Sequence, residues 1–105
     1  MAEEVLSIAF VRPFEGHDEE VAALAGELYV LLERKQYSRD LLYRDRRDPH
    51  LLVNLRYWRS EEARQEAHED PEVHHFWARL GQICQVETVY ERLEEIDWRK
   101  RSPGS

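Results

Sequence analysis

Three side chains between residues 50 and 59 are of types that could take part in chemistry: Asn54, Arg56 and Trp58. An amide can hydrogen-bond a substrate carbonyl or an oxyanion, a guanidinium can stabilise a phenolate or a peroxide anion, and an indole can stack on a flat ring. Each also has an ordinary explanation. Asn54 could be satisfied by a neighbouring side chain or water, Arg56 could pair with an acidic residue of a partner chain, and Trp58 could anchor an interface.

The segment that holds these three side chains is predicted to be a strand. Residues two apart on a strand share a face, so Asn54, Arg56 and Trp58 lie together with Leu52, while the residues between them lie on the opposite face. Ser7 lies on the corresponding face of the predicted first strand. We therefore predict that Ser7 and Leu52 contribute to binding, and His68 is the third predicted binding residue.

The remaining elements follow from hydrophobic periodicity and cap residues. Strands are predicted over residues 5–12, 37–46 and 86–96, and a helix capped by Asp18 over residues 18–35. Ser60 and then Asp70-Pro71 each begin a helical segment, and the apolar stripe of the second continues to Cys84. The order predicts an α+β domain over residues 1–96, a ferredoxin-like βαββαβ antiparallel sheet with helices on one face, followed by a flexible C-terminal tail over residues 97–105.

Composition narrows the class of protein. The chain of 105 residues has 22 acidic and 15 basic side chains, and such an acidic surface makes nucleic acid a poor partner. No apolar run approaches the ~18 residues that span a bilayer, and the start Met1-Ala2-Glu3-Glu4 is unlike a secretory signal, so no membrane association and a cytoplasmic location are expected. Cys84 is the single cysteine, which favours a small buried hydrophobe over a nucleophile.

The predicted sheet has more apolar surface than the helices of so short a chain can cover. If the helices cover one face, the face with Val11, Leu52 and Trp58 is too apolar for water. A second copy of the chain is the simplest cover, so we expect a homodimer whose sheets pack face to face, with the candidate site between them. A monomer, or a different protein on this face, is the alternative.

Several motifs carry a family resemblance: Trp58-Arg59-Ser60-Glu61-Glu62-Ala63, then His68, Pro71 and Phe76, with Tyr43-Arg44-Asp45 and Asp48-Pro49 before them. The chain resembles the antibiotic biosynthesis monooxygenase (ABM) domain family of the dimeric α+β barrel superfamily. The resemblance spans residues 5–96. It implies a homodimeric α/β barrel of the ferredoxin-like type.

Some members of that family are cofactor-free oxygenases of polyphenolic or quinol substrates. In these an Asn and a Trp four residues apart on the third strand line the pocket, and Asn54 and Trp58 match that spacing. The resemblance thus implies a cofactor-independent monooxygenase of a small aromatic or quinol-like molecule, with Asn54, Arg56 and Trp58 at the site and His68 or Tyr57 as distant candidates for proton transfer. A non-catalytic dimer that binds a small ligand is the alternative.

Haem is a third possible ligand. Haem-degrading relatives use an Asn, a Trp and an axial His where this chain has Ser7, Ala67 and Trp77, so their motif is absent. His74 and His75 are adjacent and point about 100° apart on a helix, so they cannot both face one iron. His68 is predicted to tie the helix break to the sheet. No metal site or cofactor is therefore predicted.

Overall fold

The chain folds as an α+β domain with one four-stranded antiparallel sheet. The computed structural model describes residues 4–99, apart from the side chain of residue 88. The sheet order is β2-β3-β1-β4. The elements are, in chain order, β1 (Val5–Pro13), α1 (Asp18–Arg34), β2 (Ser38–Arg44), β3 (Leu52–Trp58), α2 (Glu61–His68), α3 (Pro71–Leu80) and β4 (Cys84–Leu93). This confirms the predicted ferredoxin-like fold. Residues 100–105 of the predicted tail, and the first three residues of the chain, lie outside the described part.

Two of the three predicted helix starts are confirmed. The Ser60 hydroxyl accepts a hydrogen bond of 3.0 Å from a backbone N–H in the first turn of α2. The Asp70 carboxylate does the same at 2.9 Å for α3, and Pro71 follows it in the first turn. The expected cap of α1 was one residue late, because His17 is the cap and Asp18 is already helical.

The helices cover the sheet face that carries Leu52 and Trp58, which corrects the prediction that this face meets a second sheet. Trp58 is 2% exposed and packs with Leu28 and Leu32 of α1. Leu52 is 4% exposed and belongs to a second cluster with residues of α1 and the start of β4. The prediction that Asn54, Arg56 and Trp58 lie between two sheets is therefore wrong, and the argument for a dimer from this face fails with it.

The opposite side of the sheet, here called the open sheet face, has no helix over it among the described residues and is strongly apolar. Leu41, Tyr43 and Tyr90 on this face are 42%, 53% and 50% exposed. The registers of the strand pairs place these side chains on it: Leu6, Ile8, Phe10, Leu41, Tyr43, Val53, Leu55, Tyr57 and Tyr90. The sheet does have an apolar face that the helices leave uncovered, but it is the face opposite to the one predicted.

The last strand begins earlier than predicted. Cys84, which was assigned to the helical stripe, is the first residue of β4, because α3 ends at Leu80 and a turn follows. Two irregularities in the β1–β4 register also interrupt the simple alternation predicted for this strand. No helix in residues 4–99 is long and apolar enough to cross a membrane.

Candidate functional site

A cavity of about 210 Å³ lies between the sheet and helices α1 and α3. Its lining is mostly aliphatic, with a few polar side chains at the strand β3 side. The lining residues are Ala9, Val11, Val21, Ala25, Leu28, Tyr29, Leu42, Leu52, Asn54, Arg56, Trp77, Leu80, Gly81, Cys84 and Val86. Ala9 pairs with Asn54 across the β1–β3 ladder, so a methyl group stands next to the longer amide and leaves room on this face. The predicted site residues Asn54, Arg56 and Leu52 therefore meet at one cavity within a single chain.

The Asp40 carboxylate organises the polar side of the cavity. Its side chain is fully buried, and it lies directly opposite Arg56 in the β2–β3 register. It accepts hydrogen bonds from Arg56 Nε at 2.7 Å, from Asn54 Nδ2 at 3.1 Å and from the Ser38 hydroxyl at 2.9 Å. A buried charge is tolerated when it is paired and hydrogen-bonded in this way. The expected partner for Arg56 was an acidic residue of another subunit, whereas the structure supplies one from the neighbouring strand.

Asp40 also fixes which way the Asn54 amide points. An ionised carboxylate only accepts hydrogen bonds, so the Nδ2 atom must face it, and Nδ2 also donates to the Leu41 carbonyl at 3.2 Å. Within residues 4–99, no group donates to Asn54 Oδ1, and no fully buried side-chain N or O atom lacks a partner. The Oδ1 atom is therefore not fully buried, and its residue lines the cavity. Asn54 offers a ligand an acceptor, where the sequence led us to expect a donor.

Arg56 offers donors to the same space. Its Nε is held by Asp40, and its side chain is 12% exposed. The guanidinium carbon lies 5.3 Å from the centroid of the Trp58 ring and 5.8 Å from that of Tyr29, within the range of cation–π contacts. These two rings and the Asp40 bond orient the guanidinium, and its Nη atoms make no hydrogen bond within the described residues. They remain available to an anionic oxygen.

Tyr29 on α1 is a site residue that sequence reasoning missed. Its ring lines the cavity opposite β3. Burial raises the pKa of Tyr29 to about 12, an effect that nearby Arg56 partly opposes. The phenol therefore keeps its proton at neutral pH and can donate a hydrogen bond. The sequence prediction assigned only the aliphatic residues of α1, such as Leu28, to the buried face. It did not include Tyr29, which follows Leu28 directly.

Trp58 and Ser7 lie next to the cavity and are hydrogen-bonded to each other. The Trp58 indole N–H donates to the Ser7 hydroxyl at 2.8 Å, and that hydroxyl donates to the backbone carbonyl of Glu91 on β4 at 2.6 Å. Neither residue is among those that line the cavity. Trp58 packs in the core and contacts Arg56 through its ring, so its position suits a support for Arg56, and stacking on a substrate would need a rearrangement.

His68 packs against the rings of Trp77 and Trp58 and is not among the residues that line the cavity. Its ring centroid is 5.1 Å from that of Trp77 and 5.9 Å from that of Trp58, and its Nδ1 donates to the Arg64 carbonyl at 2.8 Å. It therefore packs against the cavity wall without reaching the cavity. Tyr57, the other candidate for proton transfer, lies on the open sheet face beneath the Arg39 guanidinium at 4.0 Å. The structure brings neither to the cavity.

Cys84 lines the opposite, aliphatic part of the cavity as a free thiol. It is 6% exposed and donates to the Leu80 carbonyl at 3.1 Å. Burial raises the pKa of this thiol, so the nucleophilic thiolate is disfavoured. Within residues 4–99, no three His, Cys, Asp or Glu side chains form a group that could hold a metal ion.

The fold of this chain occurs in several solved structures. SnoaB, a cofactor-independent oxygenase from Streptomyces nogalater, is 18% identical, with a TM-score of 0.75 over 91% of this chain and 99% of that one. A Pseudomonas aeruginosa protein is 19% identical, with a TM-score of 0.73 over 91% and 97%. A Shewanella oneidensis protein is 17% identical, with a TM-score of 0.73 over 90% and 93%. At these identities the likeness establishes the fold.

The sequence itself identifies the family. No curated protein sequence matches the chain significantly. The family model described as antibiotic biosynthesis monooxygenase, however, matches residues 5–79. These include α1, α2, all but the last residue of α3, and the whole of strand β3 with Asn54 and Arg56. With a family match over more than half of its length, this chain belongs to the antibiotic biosynthesis monooxygenase family.

Proposed function

We propose that this chain is a cofactor-independent monooxygenase that binds a small phenol or quinol in the cavity above strand β3. Family membership supports a monooxygenase-like function, and the match to SnoaB, a cofactor-independent oxygenase, supports the cofactor-free form. The observation that carries the proposal is the set of polar groups around Asp40. The Asp40 carboxylate holds Arg56 and Asn54 in fixed orientations at the edge of a mostly aliphatic cavity.

The proposed reaction needs no external reductant. A phenol and dioxygen give a quinone and water, with one oxygen atom entering the ring as a carbonyl and the other leaving as water. The substrate supplies all four electrons, and the first passes from its phenolate to dioxygen. The protein has to hold the phenolate, exclude bulk water and orient the ring. Arg56 and Tyr29 both line the cavity, and in this proposal the Nη atoms of Arg56 and the hydroxyl of Tyr29 stabilise the anionic oxygen.

The proton of the substrate has no strong acceptor in the described part of the cavity. Asp40 already accepts three hydrogen bonds, and Asn54 and Tyr29 are weak bases. We therefore propose that the substrate binds as its phenolate. Oxygen consumption should then rise with pH through the pKa of the substrate, and the midpoint should move when a more acidic phenol is used.

The first test is oxygen consumption by chelator-treated protein with catechol, with hydroquinone and with ring-substituted phenols. The expected result is uptake well above the rate in buffer alone, with pH midpoints that follow the phenol. A midpoint that stays fixed across the series would point to a titrating protein group and contradict phenolate binding. No uptake across the panel, with the same compounds shown to bind, would replace the enzyme by the alternative function, a non-catalytic module that binds small ligands.

The second test separates the role of Arg56 from its structural pairing. Arg56→Lys keeps a cation beside Asp40 but removes the Nη donors, and a lysine cannot reproduce the planar fork. We expect kcat/KM to fall at least tenfold while the protein stays folded by circular dichroism. Arg59→Lys, one position beyond the end of β3 and exposed, is the matched control and should leave kcat/KM unchanged.

We also propose that two copies associate through the open sheet face. Leu41, Tyr43 and Tyr90 are about half exposed there, and apolar patches of this kind on one side of a sheet are typical of interfaces. Size-exclusion chromatography with light scattering at micromolar concentration should give twice the mass of the chain, and a monomer mass would refute the proposal. A cytoplasmic location is proposed as well, because the free thiol of Cys84 fits a reducing compartment.

A further inference from the structure

The polar groups of the cavity are not equivalent, and their difference constrains the ligand. Asn54 presents Oδ1, which only accepts a hydrogen bond, because Asp40 holds its Nδ2. Arg56 presents Nη atoms and Tyr29 presents a protonated hydroxyl, and both of these donate. A ligand that satisfies all of them must carry a hydroxyl hydrogen for Asn54 and an anionic or carbonyl oxygen for Arg56.

The acceptor of Asn54 and the donors of Arg56 belong to neighbouring side chains. Asn54 and Arg56 are two positions apart on the same face of β3, and both contact the same carboxylate oxygen of Asp40, at 3.1 and 2.7 Å. Apart from Tyr29, Trp77 and Cys84, the rest of the lining is aliphatic. A second ligand oxygen placed far from the first would face that aliphatic wall and lose its water without gaining a partner.

The volume of the cavity sets the size of the ligand. A cavity of about 150 Å³ accommodates benzene, and pockets for drug-sized ligands begin at about 300 Å³. The cavity here, at about 210 Å³, lies between the two. It suits a single substituted ring.

We infer that the cavity binds an ortho-diphenol of one ring as its monoanion, with the ionised oxygen on Arg56 and Tyr29 and the neighbouring hydroxyl donating to Asn54 Oδ1. The inference rests on the proposed function for its site but narrows the substrate class. Among isomeric diphenols only the ortho arrangement places a donor and an anion on neighbouring ring carbons. The meta and para isomers satisfy Arg56 or Asn54, but not both.

The test compares isomers of one composition, so that ring size and hydrophobicity are constant. Under anaerobic conditions, 4-nitrocatechol, 4-nitroresorcinol and nitrohydroquinone are titrated against the protein, and the absorbance of the nitrophenolate reports both binding and ionisation. We expect 4-nitrocatechol to bind at least tenfold more tightly than the other two, with the spectrum of its monoanion at a pH where the free compound is partly neutral. Equal affinities, or tighter binding of either other isomer, would overturn the inference.

Substitutions test which residue causes the preference for 4-nitrocatechol. Asn54→Ala removes the acceptor, so the advantage of 4-nitrocatechol over its isomers should fall to within about twofold, while the affinity for the monohydric 4-nitrophenol changes little. Tyr29→Phe should weaken all the nitrophenolates together. Val30→Ala, at an exposed position next to Tyr29 on α1, is the control and should change nothing. An ortho preference that survives in Asn54→Ala contradicts the assignment to this residue.

The binding assay and the oxygen assay test the ligand class and the monooxygenase proposal separately. If 4-nitrocatechol binds with the expected preference but catechol supports no oxygen consumption, the ligand class stands and the monooxygenase proposal fails. If hydroquinone supports faster oxygen consumption than catechol and its nitro derivative binds more tightly, the monooxygenase proposal stands and the ortho-diphenol inference fails.

Discussion

Asp70 joins three elements of the fold through a single carboxylate, and neutralising it should have a defined cost. Its side chain is 9% exposed and accepts hydrogen bonds from Lys35 Nζ and from the Tyr37 hydroxyl, each at 2.7 Å. It also caps α3 through the N–H of Glu72 at 2.9 Å. These contacts fasten the end of α1 and the approach to β2 to the start of α3, the helix that carries Trp77 and Leu80 on the cavity wall.

The pKa of Asp70 gives the size and the pH range of the effect. The hydrogen bonds from Lys35 and Tyr37 lower the pKa of this carboxyl from its ordinary value, close to 4, to about 2. Because the folded-state pKa is lower than the unfolded one, the ionised group stabilises the fold at pH values above about 4. This stabilisation is lost as the pH falls from about 4 through about 2. A shift of this size corresponds to roughly 1–2 kcal/mol once solvent screening around Lys35 is allowed for.

Asp70→Asn isolates the charge, since Asn is also a good helix cap and its Oδ1 can still accept from the capped N–H. We expect the variant to be less stable than the parent protein by about 1–2 kcal/mol at pH 7. The difference should begin to shrink as the pH falls below about 4, and it should approach zero only below about pH 2. The measurement is urea denaturation at several pH values, followed by tryptophan fluorescence at one protein concentration so that any association is constant.

The exposed neighbour Glu69 provides the control, and Glu69→Gln should change the free energy of unfolding by less than about 0.5 kcal/mol at every pH. A difference between Asp70→Asn and the parent protein that stays constant from pH 7 to pH 3 would refute the reasoning. It would show that the loss comes from hydrogen-bond geometry and not from the ionised carboxylate.

Three further experiments test other parts of the molecule: two use substitutions, and the third measures the reactivity of a thiol. Leu55→Arg puts a charge in the open sheet face and should give a monomer by light scattering that still binds 4-nitrocatechol, since one chain builds the cavity; loss of binding in a folded monomer would contradict this. Gln36→Gly relieves a left-handed backbone (φ 63°) and should stabilise the protein by about 0.5–1 kcal/mol in thermal denaturation, whereas Gln65→Gly within α2 should destabilise it by about 1 kcal/mol. Because burial raises the pKa of the Cys84 thiol, Ellman's reagent should react at least tenfold more slowly with the folded protein than in urea, and equal rates would contradict its burial.

The order of the elements was predictable because each has a local signal. Ser60 and Asp70-Pro71 mark helix starts through their own chemistry, and the structure confirms both. The start of β4 was not predictable in the same way. Cys84 continues the apolar spacing of α3, and only the turn after Leu80 and the pairing with β1 make it part of a strand. A periodic pattern shows which residues are apolar, but it does not show where the backbone changes direction.

The face of the sheet that the helices cover depends on pairing between strands, which the sequence of one strand does not contain. Judged alone, Val53, Leu55 and Tyr57 make the more apolar side of β3, and Asn54 and Arg56 make the other side the more polar one, which led us to place the helices on the wrong side. Asp40 allows the more polar side to be buried. It lies opposite Arg56 across the β2–β3 ladder, and its carboxylate pairs with both Arg56 and Asn54 beneath the helices.

The same carboxylate links the fold to the proposed chemistry. Without Asp40 the covered face would hold an unpaired cation, and the amide of Asn54 would be free to turn either way. With it, the helices can close over β3, Asn54 presents an acceptor and Arg56 presents donors. The carboxylate that makes Asn54 and Arg56 acceptable beneath the helices therefore also orients the groups that they offer to a ligand. The candidate site is built by one chain, and the open sheet face stays uncovered by helices within residues 4–99.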